Sequence, residues 1–432
     1  MSKSRTIKVG YLARVEGEAS LLIKTNGPMI EDVQLKIFEA PRFFEALLKG
    51  RSYQDAPDIT SRICGICPVA YQMSTVHAME SAFHVSIPDH IRALRRLLYA
   101  GEWISSHCLH IFMLQAPDFL GYPDAMTMAR AHQSRVEMGL RMKKIGNRIM
   151  TLLGGREIHP INVKVGGFYA LPPRSEFMPL IDELKWARDA SHETLQWVSS
   201  FPFPDLAVDY ELVALHHPHE YPFNEGSIVS NRGLDIAAFD FEQHFKEQQV
   251  PHSTALHAIH QGFASYLTGP LARMALNYPQ LLASVREAAA SVCFAPHCRN
   301  PYRSIMARVL EVMQALEESL IIIQNFEDGQ DPWVPVVPRA SVGYAATEAP
   351  RGLLYHRYEL DAEGNILEAK IVPPTSQNQK RIEEDLQLFL ARQMHESDEA
   401  IASFCEKAIR NYDPCISCAT HFLNVTVQRG GA

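Results

Sequence analysis

The sequence predicts an α+β protein, predominantly helical, in which a bundle core of long helices is edged by β hairpins. Three observations point there. Apolar residues recur at helical spacing over Ile91 to Leu114, Met126 to Leu153 and Pro179 to Ser199, each long enough for several turns. Ala19 to Phe38 instead alternates apolar and polar residues around Thr25-Asn26-Gly27, the pattern of two strands joined by a turn. Leu353 to Leu360 and Ile366 to Val372 repeat that pattern around Asp361-Ala-Glu-Gly-Asn365.

Taken in order, residues 1–60 form a β-rich N-terminal part and residues 61–330 a helical core. Within the core, Gly166-Gly167 and Pro172-Pro173 make 162–173 a structured loop, because neither pair continues a helix. Further helices are expected at His252 to Leu267, Gln280 to Val292 and Tyr302 to Asn325. Pro332, Pro335 and Pro338 then impose an extended segment, so 331–377 is an extended and hairpin part. Residues 378–421 return to helix over Gln379 to Ile409 and lead to a second cysteine pair, and 422–432 follow as a terminal extension. With no internal repeat and no low-complexity linker, residues 1–432 read as one unit.

Composition limits the function classes. Hydrophobic residues make up 47% and charged residues 21%, which is ordinary for a chain that buries a core and unlike a disordered one. Forty-one basic against forty-nine acidic residues leave a formal charge of -8, and no basic block stands out. Nucleic acid and anionic membrane surfaces are therefore poor partners. Apolar runs such as Leu320 to Ile323 fall far short of the roughly 20 residues that cross a bilayer. The first ten residues lack the apolar stretch of a secretory signal, so eight cysteines read as reduced thiols in the cytoplasm and not as a disulfide framework.

The chemistry concentrates in two C-x-x-C pairs, Cys64-Gly65-Ile66-Cys67 and Cys415-Ile416-Ser417-Cys418. One such pair lets two sulfurs reach one ion, and two pairs supply four thiolates to a soft transition metal. Zinc ribbons space their pairs about 15 to 20 residues apart, whereas these pairs lie near opposite ends of the chain. Spacing alone leaves structural zinc, a catalytic metal and a redox dithiol open.

The flanking residues carry a resemblance. Arg62-Ile-Cys-Gly-Ile-Cys67 and Asp413-Pro-Cys-Ile-Ser-Cys-Ala-Thr-His421 resemble the two signature motifs of nickel-iron hydrogenase large subunits. Arg14-Val-Glu-Gly17, the run from Arg42 to Arg51, Gly154-Gly155-Arg156 with His159-Pro160, and Glu348-Ala-Pro-Arg-Gly352 are similar to further motifs of that family, in the same order. The resemblance implies the hydrogenase large-subunit fold and reversible heterolytic splitting of H2. It implies that nickel is held by Cys64, Cys67, Cys415 and Cys418, with Cys67 and Cys418 also bridging to iron. The iron would carry cyanide and carbon monoxide, faced by Pro350, Arg351 and Leu354, with the cyanide partner in 372–378 being either backbone or Thr375. Magnesium would be bound by Glu45, His421 and a backbone carbonyl near Lys370.

Heterolytic splitting needs a base for the proton, and a terminal thiolate is the base at closest range. Cys415 is the candidate and Glu16 the next acceptor. Electrons must leave through another chain, because no G-x-G-x-x-G follows a strand and no further cysteine cluster could hold iron-sulfur centres. The implied partners are an iron-sulfur small subunit, flavin- and NAD(P)-binding diaphorase subunits, maturation proteins, and an endopeptidase that trims the chain after His421. The features look most like the soluble nicotinamide-linked type. Three departures stand out: Tyr71 replaces a histidine that hydrogen-bonds a bridging cysteine, Ser106 stands near where some relatives place an acidic residue, and Val372-Pro-Pro-Thr-Ser-Gln-Asn378 is one residue longer than the family's usual run. Cys108, Cys293, Cys298 and Cys405 read as small hydrophobes, His216, His217 and His219 as a solvated loop, and His257 and His260 as one face of a helix. A hydrogen sensor, or a structural zinc-binding subunit of a respiratory complex, is the alternative.

Overall fold

The computed structural model describes residues 4–262 and 265–420. Its N-terminal sheet is an antiparallel meander of Ser4–Val9, Ala19–Asn26 and Met29–Ile37. Ala19, Leu21 and Ile23 point into the core while their neighbours do not, as the two-residue period of a one-sided strand requires. Gly27 takes φ 60° in the predicted turn. The Ser4–Val9 strand escaped the sequence reading.

The predicted long helices form at Asp89–Cys108, Ala125–Gly154, Arg174–Ser199 and Ser304–Asn325. They pack on one another as the core bundle. The first ends in a wider π-type turn, Leu109–Gln115, before Pro117. Its crossing with the second depends on paired glycines. A Cβ at Gly146 would meet Gly101 O at 2.5 Å and Ser105 N at 2.7 Å, so nothing larger fits that approach. A further helix, Pro68–Phe83, starts immediately after Cys67 with proline at its first position, where the missing N–H is harmless. It is buried along nearly its whole length, because the sheet Ser341–Ala349, Gly352–Leu360 and Ile366–Val372 covers it.

Two expectations change. The helix expected at 252–267 does not form among its described residues: His257–His260 is a strand antiparallel to Phe245–Gln248. Thr254 donates from its N to Ile37 O at 2.8 Å and from its hydroxyl to Glu39 O at 2.9 Å, so tertiary hydrogen bonds tie this segment to the N-terminal sheet. His257 and His260 consequently end a strand, and both are buried. The helical stretch 379–409 is two helices, Pro374–Leu390 and Asp398–Arg410, the second capped by the Ser397 side chain accepting from Ala400 N. The cysteines set aside as small hydrophobes are buried at Cys108, Cys298 and Cys405, whereas Cys293 is exposed. No described helix is long and apolar enough to cross a membrane.

Candidate metal centre

Cys64 follows a short helical turn, Ser61–Ile63, and Cys67 leads into the Pro68–Phe83 helix. Cys415 precedes the short helix Ile416–Ala419 that carries Cys418. Each pair therefore sits where a chain turns into a helix, which lets both sulfurs of a C-x-x-C face one point. The fold brings the two pairs together. Cys64 Sγ lies 3.3 Å from Cys415 Sγ, Cys67 Sγ 3.6 Å from Cys418 Sγ, and Cys415 Sγ 2.8 Å from Cys418 Sγ. All four are buried, with their sulfurs within 4.8 Å of one another.

Hydrogen bonds from Cys415, Cys418 and Cys67 pull the Cys64 thiol well down, while burial and then its sulfur neighbours push Cys415 well up. The quartet thus resists full ionisation on its own, and a bound cation that displaces the protons removes that conflict. Four soft donors converging in a dry site fit a thiolate-bound transition metal.

Backbone contacts hold the pairs in place. Arg42 donates from one terminal nitrogen to Ile63 O at 2.7 Å and to Ser417 O, and its N donates to Thr420 O at 2.8 Å. One guanidinium therefore clamps the segments beside both cysteine pairs. Glu102 is fully buried and accepts from Val69 N at 2.6 Å and Ala70 N at 3.1 Å, the open N–H groups of the helix after Cys67. Burial pushes its carboxyl well above the usual range. Neither role was read from the sequence, although a lone carboxylate in the apolar run 97–104 was a visible signal. Tyr71 is buried, and burial followed by Cys418 and Cys67 raises its phenol well above the ordinary value. The Tyr71 side chain thus belongs to the sulfur site.

Glu16 joins the second pair directly. The Cys415 thiol donates to Glu16 Oε2 at 3.1 Å, Ser417 N donates to the same oxygen at 3.0 Å, and Ile416 N donates to Glu16 O at 2.9 Å. Gly17 must follow, since a Cβ there would lie 2.7 Å from Ile416 Cβ at a φ of 89°.

Arg351 stands in the turn between the strands Ser341–Ala349 and Gly352–Leu360, next to Pro350. Its Nε donates to Asp413 O at 2.9 Å and its Nη2 to Asp413 Oδ1 at 3.2 Å. Its Nη1 is buried and has no hydrogen-bond partner among the described residues. Burial opposes the charge, but Asp413 and then the sulfurs of Cys415, Cys67 and Cys64 raise the guanidinium well above its usual value. The loop rests on a buried ion cluster. Arg273 donates to Glu311 at 2.7 and 2.8 Å, to Glu348 at 2.8 Å, to Ala349 O at 3.0 Å and to Pro350 O at 2.9 Å. Asp413, Arg273 and Glu311 were missed as site residues because their sequence neighbourhoods do not reveal their partners.

The remaining predicted residues divide. Thr375 accepts from Cys415 N at 3.0 Å, and Leu354 is fully buried. The Ser376 hydroxyl next to Thr375 is buried without a hydrogen-bond partner among the described residues. Glu45 Oε1 accepts from Ile371 N at 2.7 Å, which brings Glu45 to the backbone beside Lys370. The Lys370 side chain itself pairs with Glu247. His421 and the extension 422–432 lie outside the described residues.

Fold and site together define a metalloprotein whose buried centre is built from thiols at the two ends of one chain. A family model described as nickel-dependent hydrogenase matches residues 42–138. Over 434 residues the chain is 31% identical to sulfhydrogenase 2 subunit alpha of Pyrococcus furiosus, covering 97% of this chain and 100% of that one. Sulfhydrogenase 1 subunit alpha of the same organism is 29% identical over 433 residues, with 97% and 98% covered. Among solved structures, an NAD+-reducing [NiFe]-hydrogenase in the H2-reduced state superposes with TM-score 0.90 at 24% identity, covering 98% of this chain and 100% of that chain. A [NiFeSe]-hydrogenase of Dm. baculatum superposes with TM-score 0.79 at 20% identity, covering 97% and 100%. The chain belongs to the nickel-dependent hydrogenase family, as a catalytic large subunit.

Proposed function

We propose that the chain splits and forms H2 at a nickel-iron pair, that Cys64, Cys67, Cys415 and Cys418 would hold the nickel and Cys67 and Cys418 also the iron, and that Cys415 with Glu16 form the proton path. The contact that carries this reading is the 3.1 Å hydrogen bond from the Cys415 thiol to Glu16 Oε2. When bound, the nickel-iron pair would supply the Lewis-acid and redox chemistry that heterolytic splitting needs. The chain's own residues handle what is left. Cys415 Sγ takes one proton and passes it to Glu16, whose Oε2 is already fixed by Ser417 N. The buried cluster under Pro350 and Arg351 keeps that loop rigid and dry, so proton transfer does not compete with bulk water.

Cyanide and carbon monoxide on the iron agree with the spare Arg351 Nη1, a buried donor in want of an acceptor, and with the buried Ser376 hydroxyl beside Thr375. Pro350 and Leu354 supply apolar contact. Magnesium at Glu45, His421 and the Lys370 carbonyl is the third proposed ion, with Glu45 as its hard oxygen ligand. Electrons then pass to an iron-sulfur small subunit and onward to NAD(P) through flavin-binding subunits, a reading that the NAD+-reducing structural relative supports by analogy.

Infrared absorption of the purified protein, together with nickel and iron analysis, tests the centre. Bands of iron-bound diatomic ligands with both metals present are expected. A zinc-only protein without such bands would replace this reading by a structural one. Replacing Cys415 by Ser should abolish hydrogen-deuterium exchange, and normal exchange in that variant would remove Cys415 from the proton path. The isolated chain should not reduce a nicotinamide cofactor; reduction by a homogeneous single chain would show that no partner is needed.

A further inference from the structure

We propose a second metal site, formed by His252, His257 and Glu383, that takes a divalent transition ion of the zinc type. It lies outside the cysteine centre and rests on separate residues. His252 Nε2 is 2.8 Å from Glu383 Oε1, and His257 Nδ1 is 4.0 Å from Glu383 Oε2. The two imidazole rings stand at 77° with centroids 5.7 Å apart, and one ligand atom from each of the three residues falls within 4.8 Å of the others. His257 is 3% exposed, and its Nε2 has no hydrogen-bond partner among the described residues. Its Nδ1 faces Glu383 Oε2 at 4.0 Å, beyond hydrogen-bond reach, and an ion bound between the rings and the carboxylate accounts for that gap.

The surroundings favour a cation there. Among the described residues, no arginine or lysine forms an ion pair with Glu383. The other cluster of this kind, His217, Glu220 and Glu225, is different: Arg92 reaches Glu225 at 2.8 Å and Arg96 reaches Glu220 at 2.7 Å, so its carboxylates are already neutralised. Leu35 N donates to Glu383 Oε1 at 2.8 Å, which fixes the carboxylate as second contacts fix metal ligands. Burial, followed by His252 and Lys380, lowers His257 to about 4, so it is a neutral donor at ordinary pH.

Two imidazoles and one carboxylate suit zinc in preference to magnesium or calcium, which take oxygen, and water completes a tetrahedral set. The ion would staple the 249–256 loop and the His257–His260 strand to the Pro374–Leu390 helix. That helix carries Thr375, the acceptor for Cys415 N, at its start. The inferred role is therefore to brace an element that supports the catalytic centre.

The test uses holoprotein with its cysteine centre filled, cleared of loosely held metal and titrated with zinc chloride by calorimetry and with cobalt chloride by absorption. One further equivalent of each ion is expected, without a sulfur-to-cobalt charge-transfer band, since no cysteine is among the ligands. His257→Gln and Glu383→Gln should weaken zinc binding about tenfold or more. No further equivalent, a sulfur-to-cobalt band, or unchanged affinity in both variants overturns the proposal. Should those buried variants fail to accumulate folded, His252→Gln, whose parent side chain is 17% exposed, takes their place under the same criteria.

Discussion

Glu16 and Cys415 are 399 positions apart in sequence, yet the thiol of one donates to the carboxylate of the other and their backbones form a parallel bridge. The first motif of the chain is thereby a wall of the site built by the last. A carboxylate already touching the proposed proton acceptor needs no rearrangement to take its proton.

Glu16→Gln preserves an oxygen for Ser417 N but removes the base. Hydrogen-dependent dye reduction should fall by about 10² to 10⁴, while nickel and iron content stay at wild-type levels. A metal-poor variant would show instead that the bond to Ser417 N is the important one.

Arg42→Ala frees the carbonyls of Ile63 and Ser417 and loosens one cysteine pair from the other. Charged hydrogen bonds of this kind contribute about 1.5 to 3 kcal/mol each, so the variant should lose metal to a chelator much faster than wild type. Arg42→Lys, which keeps the charge without the planar fork, should fall between them. Equal retention in all three proteins would show that the clamp is dispensable.

Glu102→Ala leaves Val69 N and Ala70 N buried without their acceptor. A loss of about 1 to 3 kcal/mol is expected for each unsatisfied group, read as a lower melting temperature, and the helix start that positions Cys67 should become less well held. Wild-type melting and metal retention in this variant would contradict the assigned role.

The Arg273 cluster makes a prediction in pH. Burial pushes Glu348 from the ordinary carboxyl value of 4.5 up to about 7, while Arg273 outweighs burial at Glu311 and holds it at about 2. A carboxyl raised in the folded state contributes stability below its unfolded value and loses it as pH rises through the folded one. Between pH 4.5 and about 7, the wild-type melting temperature should therefore fall relative to that of Glu348→Gln. A constant difference over that window would refute a titrating Glu348. Removing the cation by Arg273→Met strands two buried carboxylates and should destabilise the fold by about 3 to 5 kcal/mol.

Much of the fold was legible in sequence because it depends on local pattern. The long helices of the bundle and the two hairpins follow from apolar spacing and turn residues, which act within a few positions of one another. The segment 252–267 was misread for the complementary reason: Thr254 is held by Ile37 and Glu39, and no helical or strand period records a partner more than two hundred residues away. The break between the helices Pro374–Leu390 and Asp398–Arg410 was likewise invisible to a continuous apolar period.

The same division runs through the site. By itself the sequence displayed four thiols in two C-x-x-C pairs, while Glu16, Glu45 and Arg351 after Pro350 were singled out only by the motifs that resemble the family. Only the tertiary structure decided that the sulfurs of both ends share one buried point, that Asp413 takes Arg351, and that Arg42 and Glu102 hold the cysteine-bearing turns. The reason is physical. A residue's chemical type is a local property, whereas its partners, its burial and its pKa are set by what the folded chain places around it.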